Sequence, residues 1–395
     1  MTTETPDVLV IGLGAMGSAT VYQLAKRGVK VVGIDRFTPP HTVGSSHGET
    51  RITRQAIGEG QQFVPLALRS HEIWREIEAQ TGKHLLTQCG GLFIARAGLS
   101  SHLHGQADFL GNTIAAAHAF DIAHERLDAA AIVERFPQFL LQGDEVGYYE
   151  PGAGYLAPEA CISAQIELAQ RLGADIRLNE KVERLVANGA RTQVVTDRSQ
   201  YQARVTLVCA GAWIPQLVPR LNGVLKVRRQ VLHWFPVDGP LSYQPRDCPV
   251  YIWHWGTGPD QVFYGFPQVG DERVIKVATE QDIHETLPDA VQRQVAVGES
   301  AKMYADHVAG KLRGIGATSV RAATCLYTNA PSANFVIDRL PEQPDTIVVS
   351  ACSGHGFKHS AAIGEAVAQM VLGGATPAVL LPFSLEALKR ATSAA

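Results

Sequence analysis

The sequence predicts an α/β protein in which a parallel-sheet domain is interleaved along the chain with a second, antiparallel-sheet domain. Three observations predict this. Residues 7–35 run from an apolar stretch through a glycine turn and a helix-forming stretch to a second apolar stretch. Between about Val224 and Cys325 the texture changes to short alternating runs separated by Pro, Gly and Asp. The C-terminal part then returns to strand, glycine turn and helix. The first domain is expected to comprise residues 1–85, 150–222 and 326–395, and the second 86–149 and 223–325.

In chain order, the unbroken apolar run Val8–Ile11 fits a strand buried on both faces. Ala15 to Lys26 fits a helix, with Met16, Ala19, Thr20 and Leu24 at helical spacing and Gly28 as its C-terminal stop. The stretch KVVGID is a second strand ending at Asp35, which completes one βαβ unit. Pro65 to Gly82 reads as an amphipathic helix, with Pro near its start and Gly at its end. GGLFIAR is a strand, APEACISAQ opens a helix-then-strand pair, and RVTLVCAGAW is an apolar strand with a glycine turn. QVLHWFPV, PVYIWHW, QVFYGFPQ and RVIKVATE alternate as antiparallel strands do. DTIVVSACSGHGFKHSAAIGEAV is the final strand, turn and helix.

Composition narrows the function classes. The chain has 395 residues, 46% hydrophobic and 18% charged, with a formal net charge of −3, and so carries no basic surplus that asks for a nucleic-acid or membrane partner. Six cysteines are scattered without CxxC pairing, as expected of a reduced, cytoplasmic protein, and no metal-ligand spacing is seen. The N-terminal stretch lacks a basic segment before its glycine-broken apolar run and reads as neither signal peptide nor membrane span.

Gly12-Leu13-Gly14-Ala15-Met16-Gly17 is a GxGxxG motif between strand and helix. Glycines let the backbone turn and let a pyrophosphate approach the helix N-terminus, whose free N–H groups and dipole favour negative charge. Asp35 stands where a carboxylate would accept hydrogen bonds from a ribose diol, which disfavours a 2′-phosphate. The motif points to an adenine dinucleotide and leaves NAD and FAD open. The later apolar strands ending at Cys209 and at Ala351 favour FAD, whose length needs cradling at both ends.

Candidate chemistry lies in four places. The segment HTVGSSHGETRITRQA carries His47, Arg51 and Arg54 where ligands bind at the carboxyl edge of open α/β sheets. Arginine suits bidentate recognition of a carboxylate. In SGHGFKHS, Lys358 stands at a helix start, an unfavourable place for a lysine unless an anion is near. Lys276 sits in an apolar strand, where exposure on a polar face is an equal alternative. Cys325 reads either as a small buried hydrophobe or as a nucleophile that holds something.

The blocks DVLVIGLGAMG, DRFTPPHTVGSSHGETRITR, GEGQQFVPLALRS, YGFP, ATCLYT with FVID, and SGHGFK occur in order across nearly the whole chain. On them the chain resembles the monomeric sarcosine oxidase and N-methyltryptophan oxidase family. The resemblance implies a Rossmann-like FAD-binding domain of the glutathione-reductase/D-amino-acid-oxidase type. It implies oxidation of a secondary amine, most simply an N-methyl amino acid, to an imine that hydrolyses, with O2 reduced to H2O2. It implies FAD joined covalently through Cys325, and Arg51 and His47 beside the flavin. Arg54 and Lys358 would clamp the substrate carboxylate, Tyr264 and Tyr327 would line the pocket, and Lys276 would assist O2. Gly12, Gly14, Gly17, Asp35, Arg36, Ser45, Val182, Gly354 and Gly356 complete the expected cofactor contacts, Arg51 and Lys358 also counting among them. No metal is needed, and the expected partners are the small amino-acid substrate and O2, with the protein a monomer.

The chain departs from the family pattern at Glu280, where a histidine is usual, at Ser46 and Glu49, and in the aromatic segment containing Trp253 and Trp255. These differences are expected in or near the pocket, so they bear on the amine substituent and side chain of the substrate. The competing functions are an NAD-linked dehydrogenase, a flavin dehydrogenase passing electrons to a protein, and a binding protein without turnover.

Overall fold

In the computed structural model, which describes residues 3–104, 106–188, 191–281 and 284–393, the chain opens with the expected βαβ unit. Strand β1 (Val8–Ile11) leads through the glycine turn into helix α1 (Ala15–Ala25), and β2 (Val31–Ile34) follows. After the short strand β3 (Arg51–Thr53) comes helix α2 (Val64–Thr81), closed by left-handed Gly82 at φ 67°. Strand β4 (Gly91–Arg96), helix α3 (Pro158–Arg171) and strand β5 (Val205–Val208) come next. The longer strands β6 (Lys226–Pro236), β7 (Val250–His254), β8 (Val262–Gly265), β9 (Val274–Ala278) and β10 (Arg321–Asn329) lead to β11 (Gln343–Ser350) and helix α4 (Ser360–Gly373).

Two large sheets result. In the first, Asp175–Arg177, β2, β1, β5 and β11 run parallel in that order, and Val336–Leu340 is an antiparallel edge. The apolar run of β1 is explained by burial on both faces. Val8 and Val10 pack into the core shared with α1, α2 and α4, whereas Leu9 and Ile11 face a separate core containing Val194 and Tyr201. A four-stranded sheet from Thr3–Glu4 and residues 182–201 supplies that second covering layer. Helix α4 packs so closely on α1 that a Cβ at Gly364 would lie 2.6 Å from Ala19.

The second sheet has eight strands in the order β10, β6, β9, β8, β7, β4, Glu145–Glu150 and Glu125–Asp128. The sequence predicts antiparallel pairing here, and most pairs obey it. However, β7 runs parallel to β4, because these strands come from distant chain segments and no hairpin joins them. The expected domain edge after residue 325 falls inside β10, which pairs with β6 over its whole length, Cys325 opposite Gln230. Among the described residues, no single helix is long and apolar enough to cross a membrane.

The parallel strands deliver the site. Gly12 follows β1, Asp35 follows β2, Cys209 follows β5 and Ala351 follows β11, and all four line one cavity at the carboxyl edge of the sheet.

Candidate active site

The cavity is long, with about 2060 Å³ of empty space including its open mouth. One end is the glycine loop. Gly12 has φ +87°, and a Cβ there would lie 2.7 Å from the Cys209 carbonyl, so only glycine fits. A Cβ at Gly17 would collide with the Gly12 carbonyl at 1.7 Å, so this glycine serves helix–strand packing rather than the cavity wall. A Cβ at Gly14 would have Ser46 Oγ at 3.9 Å, and Gly14 caps α1 without a side-chain bond, which leaves first-turn N–H groups for an anion. Asp35 accepts hydrogen bonds from the Leu13 and Phe37 N–H groups, each at 2.7 Å, and so fixes the glycine loop. Burial pushes its carboxyl pKa up. Arg36 lies against the Trp213 and Phe37 rings and pairs with Asp289 at 2.7 Å. Val182 and Ser45 also line the wall. These features fit an elongated dinucleotide such as FAD: an open glycine turn at a helix N-terminus, a buried acid beside it, and a cavity running on to the second sheet.

In the middle of the cavity, Arg51 donates to the Thr50 and Ser45 carbonyls at 2.8 and 2.7 Å. Its Nη2 also lies 3.4 Å from the Cys325 Sγ. Cys325 is buried behind Arg51 and Ser45, both of which line the wall. His47 is likewise buried. Desolvation, reinforced by Arg51 and Lys276, drops its pKa to about 3, so the ring is neutral. Lys276 is not on an exposed face: it is 3% exposed and donates to the Gly48 and Thr50 carbonyls at 2.6 and 2.8 Å. It stands 4.1 Å from the Phe266 ring centroid. Burial, with Arg51 nearby, holds its pKa well below the usual lysine value.

The far end collects charge. Arg54 is fully buried between the Phe93 and Phe109 rings, donating to the Ala56 carbonyl at 2.8 Å and to Glu59 at 2.5 Å. Its Nε has no partner among the described residues. Lys358 donates to the His355 carbonyl at 2.6 Å, and burial lowers its pKa to about 7 against the opposing pull of Glu59. Burial alone would raise the Glu59 carboxyl, but Arg54, His355 and Lys358 outweigh it and hold it well below the carboxylate range. Tyr264 and Tyr327 meet hydroxyl to hydroxyl at 3.3 Å. Gly354 at φ +79° permits close packing, since a Cβ there would lie 2.6 Å from His104 Nε2 and 3.0 Å from Tyr327. A Cβ at Gly356 would strike the Ala351 carbonyl at 1.7 Å.

The fold therefore brings the sequence-derived residues together along one cavity, with Gly17, His47 and Cys325 packed behind its wall. Sequence reasoning missed His104 and Glu59. His104 Nδ1 is 3.1 Å from Glu59, and its Nε2 is 3.6 Å from Glu280. Burial would lower its pKa, but Glu280 and Glu59 reverse that and raise it. A lone histidine in a polar loop carries no signal of this, whereas Glu59 stood inside a block that the sequence did single out. Glu280 lines the cavity as expected. Trp253 and Trp255 do not: both belong to the core on the other side of the second sheet. On β7 it is Ile252 that faces the cavity, and the alternation of the strand turns Trp253 away.

A dinucleotide cradle on a parallel sheet, continued into a charged pocket under a second sheet, defines a flavin-type oxidoreductase. The description "FAD dependent oxidoreductase" matches residues 7–370. A monomeric sarcosine oxidase of Streptomyces avermitilis is 39% identical over 94% of this chain and 95% of its own length. An N-methyl-L-tryptophan oxidase of Salmonella dublin is 32% identical over 96% and 98%. Among solved structures, the open form of NikD, an unusual amino acid oxidase essential for nikkomycin biosynthesis, shares the fold. Its TM-score is 0.83 at 23% identity, covering 97% of this chain and 98% of that one. The chain belongs to the FAD-dependent oxidoreductase family and, within it, to the flavin amine oxidases that include monomeric sarcosine oxidase and N-methyltryptophan oxidase.

Proposed function

We propose that the protein oxidises an N-substituted amino acid of the sarcosine type, most simply an N-methyl amino acid, to the imine, which hydrolyses to aldehyde and amine, with O2 reduced to H2O2. The observation that carries this is the pair of buried cations, Arg54 and Lys358, at the end of a cavity that begins at a dinucleotide-type glycine loop. Two buried cations facing one pocket suit a carboxylate, and a sarcosine-type substrate carries one beside its amine.

Arg54 and Lys358 hold the carboxylate, and Tyr264 and Tyr327 flank the amine. FAD, when bound, would supply the two-electron redox chemistry that couples amine oxidation to O2 reduction. Gly12, Gly14, Asp35, Arg36, Ser45, Val182, Gly354 and Gly356 are assigned to holding it, with Gly17 setting the loop. Lys276 is assigned to the O2 step, where its ammonium would stabilise developing negative charge, and Arg51 and neutral His47 to polarising the same region. Cys325 Sγ is assigned as the covalent tether. A thioether from Sγ would hold the flavin, and forming it would release two hydrogens, one from the thiol, that O2 would carry away as H2O2. The position of Sγ, 3.4 Å from the cavity-lining guanidinium of Arg51, supports this. We assign residues 1–85, 151–222 and 330–395 to the FAD-binding domain and the rest, with β10 kept whole, to the substrate domain. We also propose that the protein acts as a cytoplasmic monomer, in keeping with its six free cysteines.

The test is acid precipitation of the purified protein followed by an amine screen coupled to peroxide detection. The wild-type pellet is expected to stay yellow, and Cys325→Ala to release its flavin into the supernatant. A colourless wild-type pellet removes the tether. Amine-dependent bleaching without peroxide would replace the oxidase by a dehydrogenase that uses another acceptor.

A further inference from the structure

The far end of the cavity holds more charge than a carboxylate clamp needs. Besides Tyr264 and Tyr327, six ionisable side chains line it: Arg54, Glu59, His104, Glu280, His355 and Lys358. Their partners are unequally shared. Glu59 is 4% exposed and doubly served, by Arg54 at 2.5 Å and by His104 Nδ1 at 3.1 Å. Among the described residues, Glu280 has the ionic contact with His104 Nε2 at 3.6 Å, beyond hydrogen-bond reach, and its side chain keeps 17% of its exposure. Its remaining charged and hydroxyl neighbours in the cavity are Tyr264 and Tyr327.

A substrate carboxylate seated on Arg54 competes with Glu59 for the guanidinium. His104 then remains as the partner of Glu59. Among the described residues, Glu280 is left as the cavity-facing carboxylate whose charge no side-chain hydrogen bond serves. The pocket is therefore bipolar, with Arg54 and Lys358 toward one group of the ligand and Glu280 toward another.

We propose that Glu280 is a specificity-determining residue that selects N-substituted amino acids carrying a second, cationic group, an ammonium that it binds while Arg54 and Lys358 bind the carboxylate. This rests on the amino-acid oxidase reading above and names the substrate class within it. A charge-assisted hydrogen bond in such a part-buried pocket is worth about tenfold or more in affinity.

The experiment compares kcat/KM of the holoenzyme for Nα-methyl-ornithine and Nα-methyl-lysine with that for the neutral Nα-methyl-norvaline and Nα-methyl-norleucine, in wild type and Glu280→Gln. The wild type is expected to favour the cationic member of a pair by about tenfold or more, and Glu280→Gln to abolish that preference. A wild-type ratio near or below one overturns the proposal, as does a ratio that Glu280→Gln leaves unchanged. If Glu280→Gln does not fold, Glu280→Asp takes its place, with a reduced preference expected. Thermal stabilisation by L-lysine against L-norleucine gives a reading without turnover, and equal stabilisation overturns the proposal. Failure of every Nα-methyl amino acid as a substrate would instead count against the oxidase reading, with the lysine–norleucine comparison still deciding the role of Glu280.

Discussion

At Lys358, burial and charge act against each other. Desolvation disfavours the ammonium, Glu59 favours it, and the balance leaves a pKa of about 7. A bound carboxylate stabilises the charged form, so carboxylate binding should weaken as pH rises above about 7. The inhibition constant of a simple carboxylate such as propionate is expected to rise by up to about tenfold per pH unit there. Lys358→Met should flatten that profile and raise KM for an amino-acid substrate by about tenfold or more. A wild-type profile that stays level between pH 6 and 9 would show that Lys358 does not face the carboxylate. Cys325 makes the same point about neighbours: a lone thiol on a strand is unremarkable until β3 and the loop before it bring Arg51 to 3.4 Å.

Among the elements, β7 decides which aromatic residues can touch substrate. Its two-residue period places Ile252 on the cavity and Trp253 against Phe139 and Phe263 in the opposite core. Trp253→Phe is expected to lower stability by about 1–3 kcal/mol in denaturant unfolding, through lost packing. Relative kcat/KM values across a substrate series should not move. A changed substrate order would mean that β7 is read in the wrong register. The glycine turn after β1 shows the opposite case, in which an element is fixed by what its backbone must approach, here the Cys209 carbonyl.

Across the whole molecule, burial has left several histidines neutral. Desolvation lowers His71, His233, His254 and His307 to about 4, and His47 to about 3. A histidine in the unfolded chain titrates near 6.5. Between about pH 6.5 and 4 the unfolded state therefore binds more protons, and stability falls as pH falls through that window. The buried Asp35 and Glu150, whose pKa values burial raises, act in the opposite sense over part of the range. The histidines outnumber them, so Tm should drop steadily from pH 7 to pH 5, by about 1 kcal/mol or more of stability for each well-buried ring. A Tm that is level or rising over this interval would contradict the burial assigned to these rings.

The sequence by itself determined the parallel sheet, the glycine turn, the acid after β2 and the order of the family blocks, because each rests on neighbours a few residues apart. Apolar runs, glycine spacing and cap residues are local physics. It also singled out Arg51, Arg54, Lys276 and Lys358 as candidates, since charges in apolar or glycine-rich stretches are locally anomalous, and Cys325 through the family block that contains it. Only the tertiary structure decided which of these share a cavity, that Lys276 is buried rather than exposed, and that Trp253 and Trp255 lie in the far core. Only the tertiary structure joined Glu59, His104 and Glu280 into one chain of charge across the pocket. Those three residues come from separate loops and strand ends, and long-range juxtaposition leaves no periodicity in the sequence.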